Sequence, residues 1–231
     1  MHDRPRCFAL VPCAGIGARA GAHGPKQYAH LAGQAVVAHT LDALAAVAEL
    51  SATLVVLAEH DSQFEDQVPQ FRGPRAWVAR CGGSSRGASV TAGLVHLRQR
   101  GAQGRDWVLV HDAARCLLQP SWVRRLMDAC QDDEVGGLLA LPLADTLKAA
   151  RGQRVCATLP RQDKWLAQTP QMFRLDLLQQ ALEQAGDAVT DEASAIEAIG
   201  FQPLLVPGDQ ENLKLTWPAD FALAERLLET R

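Results

Sequence analysis

The chain has 231 residues, 48% of them hydrophobic and 21% charged, with a formal net charge of −3. This suits one sizeable packed core and argues against nucleic acid as the main partner. No apolar run approaches the roughly 20 residues needed to cross a bilayer.

Phe8-Ala9-Leu10-Val11 is a short apolar run ending at Pro12 and reads as a buried strand, not as part of a signal peptide. A long glycine-rich turn follows, with Gly15, Gly17, Gly21 and Gly24 beside the cations Arg19 and Lys26. Glycines let backbone N–H groups converge on one point. With two long cations added, the turn makes a polyphosphate site. Three readings of it compete. Residues 15–20 satisfy the G-x-G-x-x-[GA] dinucleotide fingerprint, which would make the chain an NAD-dependent oxidoreductase. That fingerprint needs a helix straight after the turn, and Gly21, Gly24 and Pro25 break one. A P-loop needs Gly-Lys-Ser/Thr, and Gly24-Pro25-Lys26-Gln27 lacks it. The third reading is the cationic glycine loop of a nucleotidyltransferase; a plain surface loop is the bland alternative.

Further strands are expected at Thr53-Leu57, Ala76-Val78, Trp107-Val110, Gly137-Leu141 and Pro203-Val206. Helical patterns lie near 36–48, 86–100, 121–130, 175–185, 191–199 and 218–229. Apolar strands alternating with helices indicate a parallel sheet covered on both faces. Ligands bind such sheets outside the carboxyl ends of the strands. The glycine turn and Asp112 both fall there. Residues 142–161 break the alternation: Leu143–Ala150 and Val155–Leu159 read as two strands joined at Arg151-Gly152-Gln153. Such a hairpin has no obvious place within a parallel sheet; an arm that reaches a partner would explain it, and a long surface β-excursion is the bland alternative.

Asp112 ends an apolar strand, where a carboxylate needs donors or a metal. It is a candidate near Mg²⁺ or the nucleotide sugar, or a cap for the next turn. Arg115 points to the same edge, and His111 reads as a hydrogen-bonded structural histidine. Gly82, Gly83 and Ser89 read as a base-recognition loop, or as a turn capped by Ser84 or Ser85. The six cysteines form no C-x-x-C pair, so zinc spacing is absent and reduced cytoplasmic thiols are expected. Cys13 reads as a space-filler.

The glycine turn is joined by G-G-S-S-R at 82–86 with Ser89-Val90, and by V-H-D-A-A-R at 110–115. Then come D-T-L-K at 145–148 with P-R at 160–161, T-P-Q at 169–171, T-D-E-A-S at 190–194 and N-L-K-L-T at 212–216. In this order, over nearly the whole chain, they resemble the 2-C-methyl-D-erythritol 4-phosphate cytidylyltransferase family of the non-mevalonate isoprenoid pathway. The resemblance implies a Rossmann-like α/β domain over residues 1–231. It has a mostly parallel sheet with helices on both faces, and a protruding β-hairpin arm at about 142–161. It also implies a cytoplasmic homodimer with interlocking arms, CTP and a polyol phosphate as substrates, and Mg²⁺.

The family's catalytic Arg and Lys fall on Arg19 and Lys26. Pro12, Cys13, Ala14, Gly15, Gly17, Gly82, Gly83, Ser89, Asp112 and Ala113 would bind the nucleotide. Arg161 and Lys214, with Thr146, Thr169, Thr190 and Arg115, would position the acceptor phosphate. Three positions depart from the family pattern: Ser84 for an Asp, Cys116 for a Pro and Pro160 for an Asp. A sister enzyme using ribitol 5-phosphate is the nearest rival. The chain ends soon after its last helical pattern, so no fused second enzyme is expected.

Overall fold

The computed structural model describes residues 4–15, 25–186 and 189–230. Its centre is a seven-stranded sheet. In chain order its strands are β1 (Cys7–Pro12), β4 (Leu50–Val56), β5 (Ala76–Ala79), β6 (Trp107–Val110), β7 (Gly136–Pro142), β10 (Trp165–Arg174) and β11 (Leu204–Pro207). Two small ribbons stand apart: β2 (His30–Leu31) with β3 (Gln34–Ala35), and β8 (Leu147–Arg151) with β9 (Arg154–Leu159). Across the main sheet the order is β11-β7-β10-β6-β1-β4-β5.

Helices cover both faces because the central strands are apolar on both sides. In β1 the side chains alternate. Cys7, Ala9 and Val11 pack with α1 (Val36–Ala45) and α4 (Pro120–Cys130). Phe8 and Leu10 face α3 (Arg86–Gln99), α5 (Leu175–Ala185) and α6 (Glu192–Ala198). The period of two along the strand thus divides the core into two layers. A short α2 (Phe64–Gln67) and the final α7 (Pro218–Glu229) complete the fold. Ala224 of α7 packs with Leu31, Cys116 and Leu215, so Cys116 is a buried apolar filler.

The expected strands and helices are present within a few residues. The sheet, however, is not wholly parallel: β10 runs antiparallel to both β6 and β7. No strand was expected at 165–174, because Pro170 removes a ladder donor and Gln168, Thr169 and Gln171 interrupt the apolar run. The structure accommodates Pro170 where the pairing with β7 slips, between Ala167 and Gln171. Such an irregularity re-aims side chains. Here it turns Thr169 toward the carboxyl end of β6 and Gln168 toward the segment after β11.

The expected hairpin forms as β8 and β9, and β9 is exposed throughout. Val155 is 64% exposed and, just past the arm, Leu166 is 52% exposed. An isolated two-stranded ribbon is marginal in water, and this one lacks a core beneath it.

Candidate functional site

An open cleft of about 530 Å³ lies at the carboxyl ends of β1 and β6. Its walls are the backbone after β1 and the turn before α3; its charges are Lys26, Arg86, Asp112 and Lys214. The turn before α3 needs glycine. A Cβ on Gly82 would stand 2.2 Å from the Ala14 Cβ and 2.7 Å from the Leu57 carbonyl oxygen, and one on Gly83 2.5 Å from the Ala88 Cβ. Gly82 therefore lets the two walls touch. Ser89 fixes the turn: its hydroxyl donates to the Ser85 carbonyl at 2.9 Å and accepts from the Gly83 amide at 3.1 Å. Ser85 caps α3, accepting from the Ala88 amide.

The far end of the glycine-rich turn is braced from beneath. Gln27 Nε2 donates to the Cys13 carbonyl at 3.0 Å, and the Tyr28 hydroxyl to Asp61 at 2.6 Å. Lys26 Nζ donates to the Leu215 carbonyl at 2.7 Å, while the Leu215 amide donates to Ala114 at 2.9 Å. Lys26 is thereby tied to the 212–216 segment. Asn212, fully buried, secures that segment through Nδ2 to Thr169 O at 2.8 Å and to Gln168 Oε1 at 3.2 Å.

Asp112 is the sole carboxylate among the described residues lining the cleft. Arg86 Nε donates to its Oδ1 at 2.7 Å, and Lys214 Nζ lies 2.7 Å from its Oδ2. Burial alone would raise its pKa. Arg86 and Lys214 reverse this and hold the carboxyl well below the usual range. The rest of Arg86 forks onto Glu192, at 2.6 and 2.9 Å.

His111 is fully buried and stays neutral. Burial pushes its pKa down to about 4; the Arg115 carbonyl and Asp112 oppose this only in part, and the Arg115 and Arg86 charges add to it. Its Nε2 faces the Arg115 carbonyl at 3.2 Å, which places the proton there. Nδ1 therefore accepts from the Thr169 hydroxyl at 3.1 Å, and that oxygen accepts from the Asp112 amide at 3.1 Å. This chain fixes the Asp112 backbone. It also predicts a pH effect. The unfolded chain takes a proton at His111 near pH 6.5, and the folded chain only near 4. The stability is complete above 6.5 and lost as pH falls toward 4, on the order of 3 kcal/mol in all. Urea titrations from pH 7.5 to 4.5 should show that loss shrink in a His111→Asn variant; an unchanged slope would refute the assignment.

The structure brings together most of the expected nucleotide-side residues. Pro12, Cys13, Ala14, Gly15, Gly83, Ser89, Asp112 and Ala113 line the cleft with Lys26 and Lys214, and Gly82 packs behind it. Gly17 and Arg19 lie outside the described residues. Other acceptor-side candidates are elsewhere. The Thr169 hydroxyl is occupied as described. Arg115 staples backbone, donating to Asn212 O at 2.6 Å and Ala167 O at 3.4 Å. Thr190 is exposed at the mouth of a small adjoining cavity lined by Arg86 and Glu192. Thr146 and Arg161 sit at the root of the arm, away from the cleft lining, with the Arg161 guanidinium on the Ala144 carbonyl.

Sequence reasoning missed Arg86, Glu192, Gln27 and Asn212. Arg86 had a signal: it opens α3, and a cation at a helix N-terminus opposes the helix dipole unless paired. Glu192 opens α6, where an acid is ordinary, so nothing marked it.

The described residues do not fit a resident metal. They contain no group of three His, Cys, Asp or Glu that could hold one, and both Asp112 oxygens are engaged by cations. No step is assigned to a protein-held ion.

A family model described as 2-C-methyl-D-erythritol 4-phosphate cytidylyltransferase matches residues 7–230. The chain is 60% identical over 227 residues to the bifunctional enzyme IspD/IspF of Albidiferax ferrireducens, a match covering 98% of the chain and 54% of that protein. It thus spans about half the length of that relative. It is 55% identical over 225 residues to the 2-C-methyl-D-erythritol 4-phosphate cytidylyltransferase of Laribacter hongkongensis, with 96% of each covered. Its fold matches a crystal structure of 4-diphosphocytidyl-2C-methyl-D-erythritol synthase with a TM-score of 0.86 at 38% identity, covering 97% of this chain and 99% of that one.

Proposed function

Because the chain belongs to the 2-C-methyl-D-erythritol 4-phosphate cytidylyltransferase family, we propose that its cleft transfers CMP from CTP to 2-C-methyl-D-erythritol 4-phosphate. The products are 4-diphosphocytidyl-2-C-methyl-D-erythritol and pyrophosphate. The observation that carries this reading is a glycine-walled cleft with Lys26, Arg86 and Lys214 around one carboxylate, and a histidine held neutral out of reach. The reaction asks for that and little else. A phosphate monoester is mostly dianionic at pH 7. Its oxygen attacks the α-phosphorus in line, the bond from that phosphorus to the β-bridging oxygen breaks, and pyrophosphate leaves with the electron pair. No base is required.

Lys26, with Arg19, stabilises the crowded transition state. Lys214 holds the acceptor phosphate: an ammonium has three donors, and Asp112 engages only part of that capacity. The turn at 82–85 lies against the base, with its backbone groups reading cytosine. Magnesium enters this reading with the substrate, carried on the triphosphate oxygens as Mg²⁺ commonly is. A homodimer joined through the arms fits the exposed ribbon β8–β9. A cytoplasmic location fits the six cysteines, which form no disulfide among the described residues. Among the described residues no helix is long and apolar enough to cross a membrane. The oxidoreductase alternative finds no support, since among the described residues the first α-helix after the glycine turn opens only at Val36.

Pyrophosphate release tests the reading. With CTP and Mg²⁺, 2-C-methyl-D-erythritol 4-phosphate should give turnover far above ribitol 5-phosphate, and CTP should far exceed ATP or GTP. Equal turnover with ribitol 5-phosphate, or micromolar NAD binding without pyrophosphate release, would overturn it.

A further inference from the structure

Four charged side chains from four separate segments form a line of alternating sign. Glu192 opens α6, Arg86 opens α3, Asp112 follows β6 and Lys214 precedes α7. Glu192 forks onto Arg86 at 2.6 and 2.9 Å, Arg86 reaches Asp112 at 2.7 Å, and Asp112 meets Lys214 at 2.7 Å. The two carboxylates are the buried members, with the Glu192 side chain 1% exposed and Asp112 9%, while Arg86 is 27% and Lys214 44% exposed. Only the Lys214 end is largely open to solvent.

From this we infer that Glu192 is a positioning residue for the acceptor phosphate, acting through Arg86 and Asp112 on the Lys214 ammonium. The inference rests on the reading of Lys214 given above. A buried carboxylate is expensive unless paired. Glu192 is outside the cleft lining and is joined to it by contact through Arg86. Two carboxylates share one guanidinium, and the fork of Arg86 satisfies both at once. Remove the charge of Glu192 and Asp112 becomes the only anion on Arg86. Arg86 then draws more of Asp112's charge, and Lys214 loses part of its anchor. The line also joins the 190–194 segment to the nucleotide wall. Thr190 precedes the capping box of α6, in which Asp191 accepts from the Ser194 amide.

The experiment is a double-mutant cycle on Glu192→Gln and Lys214→Ala in the full chain. It reads KM for 2-C-methyl-D-erythritol 4-phosphate, KM for CTP and kcat by pyrophosphate release, beside a thermal melt. Glu192→Gln should raise the acceptor KM about tenfold, the range of coupling within one ion-pair network, and move the CTP KM much less. In Lys214→Ala background the second change should add little. Factors that multiply instead would overturn the inference and leave the Lys214 reading standing. An acceptor KM untouched by Lys214→Ala alone would overturn both. If Glu192→Gln lacks a cooperative melt, Arg86→Lys takes its place in the cycle. It keeps the charge but cannot fork across two carboxylates, and additivity there overturns the inference equally.

Discussion

Lys26→Ala should lower turnover by roughly 10²–10³, the scale for losing one donor aimed at developing charge. The reason is placement. Lys26 reaches the cleft from one side, tied to Leu215 O at 2.7 Å, while Lys214 stands on Asp112. Two cations then approach the phosphate region on different anchors, a carbonyl of the 212–216 segment for Lys26 and the Asp112 carboxylate for Lys214, so neither substitutes for the other. Arg19→Ala should cost a similar factor. Both variants should keep the melting transition of the parent, because Gln27 and Tyr28 brace the chain after Lys26 independently of its ammonium. A kcat within a few-fold of the parent in either variant would remove that residue from the transition state.

The second large effect concerns subunits. Arg161 and Thr146 lie at the root of the arm and outside the lining of their own chain's cleft. The ribbon they flank exposes Val155 and Leu159. An arm that docks on a second copy would bury those groups and deliver Arg161 to the second copy's acceptor site. Lys26→Ala and Arg161→Ala dimers should each be nearly inactive. Mixed and allowed to exchange, about half of the dimers become hybrids. In a hybrid one site collects both defects and the other none. Activity should return to about a quarter of wild type, as two-fold symmetry requires. If exchange is proven and nothing returns, Arg161 serves its own chain.

Much of the fold was legible because the central strands are apolar on both faces. Trp107-Val-Leu-Val sits in the sheet with no polar interruption, and its bounds are those read from the sequence. The arm was legible for the opposite reason, as a β pattern with nowhere to go. What stayed hidden is polar and non-local. Thr169 looked like a substrate contact because a threonine's pattern does not reveal which buried atoms meet its hydroxyl. Here they are His111 and the Asp112 amide. Arg115 looked like a phosphate ligand, and serves two backbone carbonyls far away in sequence. Glu192 gave no warning, since its partner is over a hundred positions distant.

The antiparallel strand has a consequence for how the chain is made. In the order β11-β7-β10-β6, both β7 and β11 join the sheet only through β10. The parallel block β6-β1-β4-β5 can pair as soon as Val110 has been synthesised. β7 has no such berth until Trp165–Arg174 has left the ribosome and slid in beside β6. In that interval β6 is a bare edge of four apolar residues, the kind of edge that recruits other chains. A nascent chain stalled before residue 165 would carry that edge unpaired, so aggregation in cells should begin with such truncated chains.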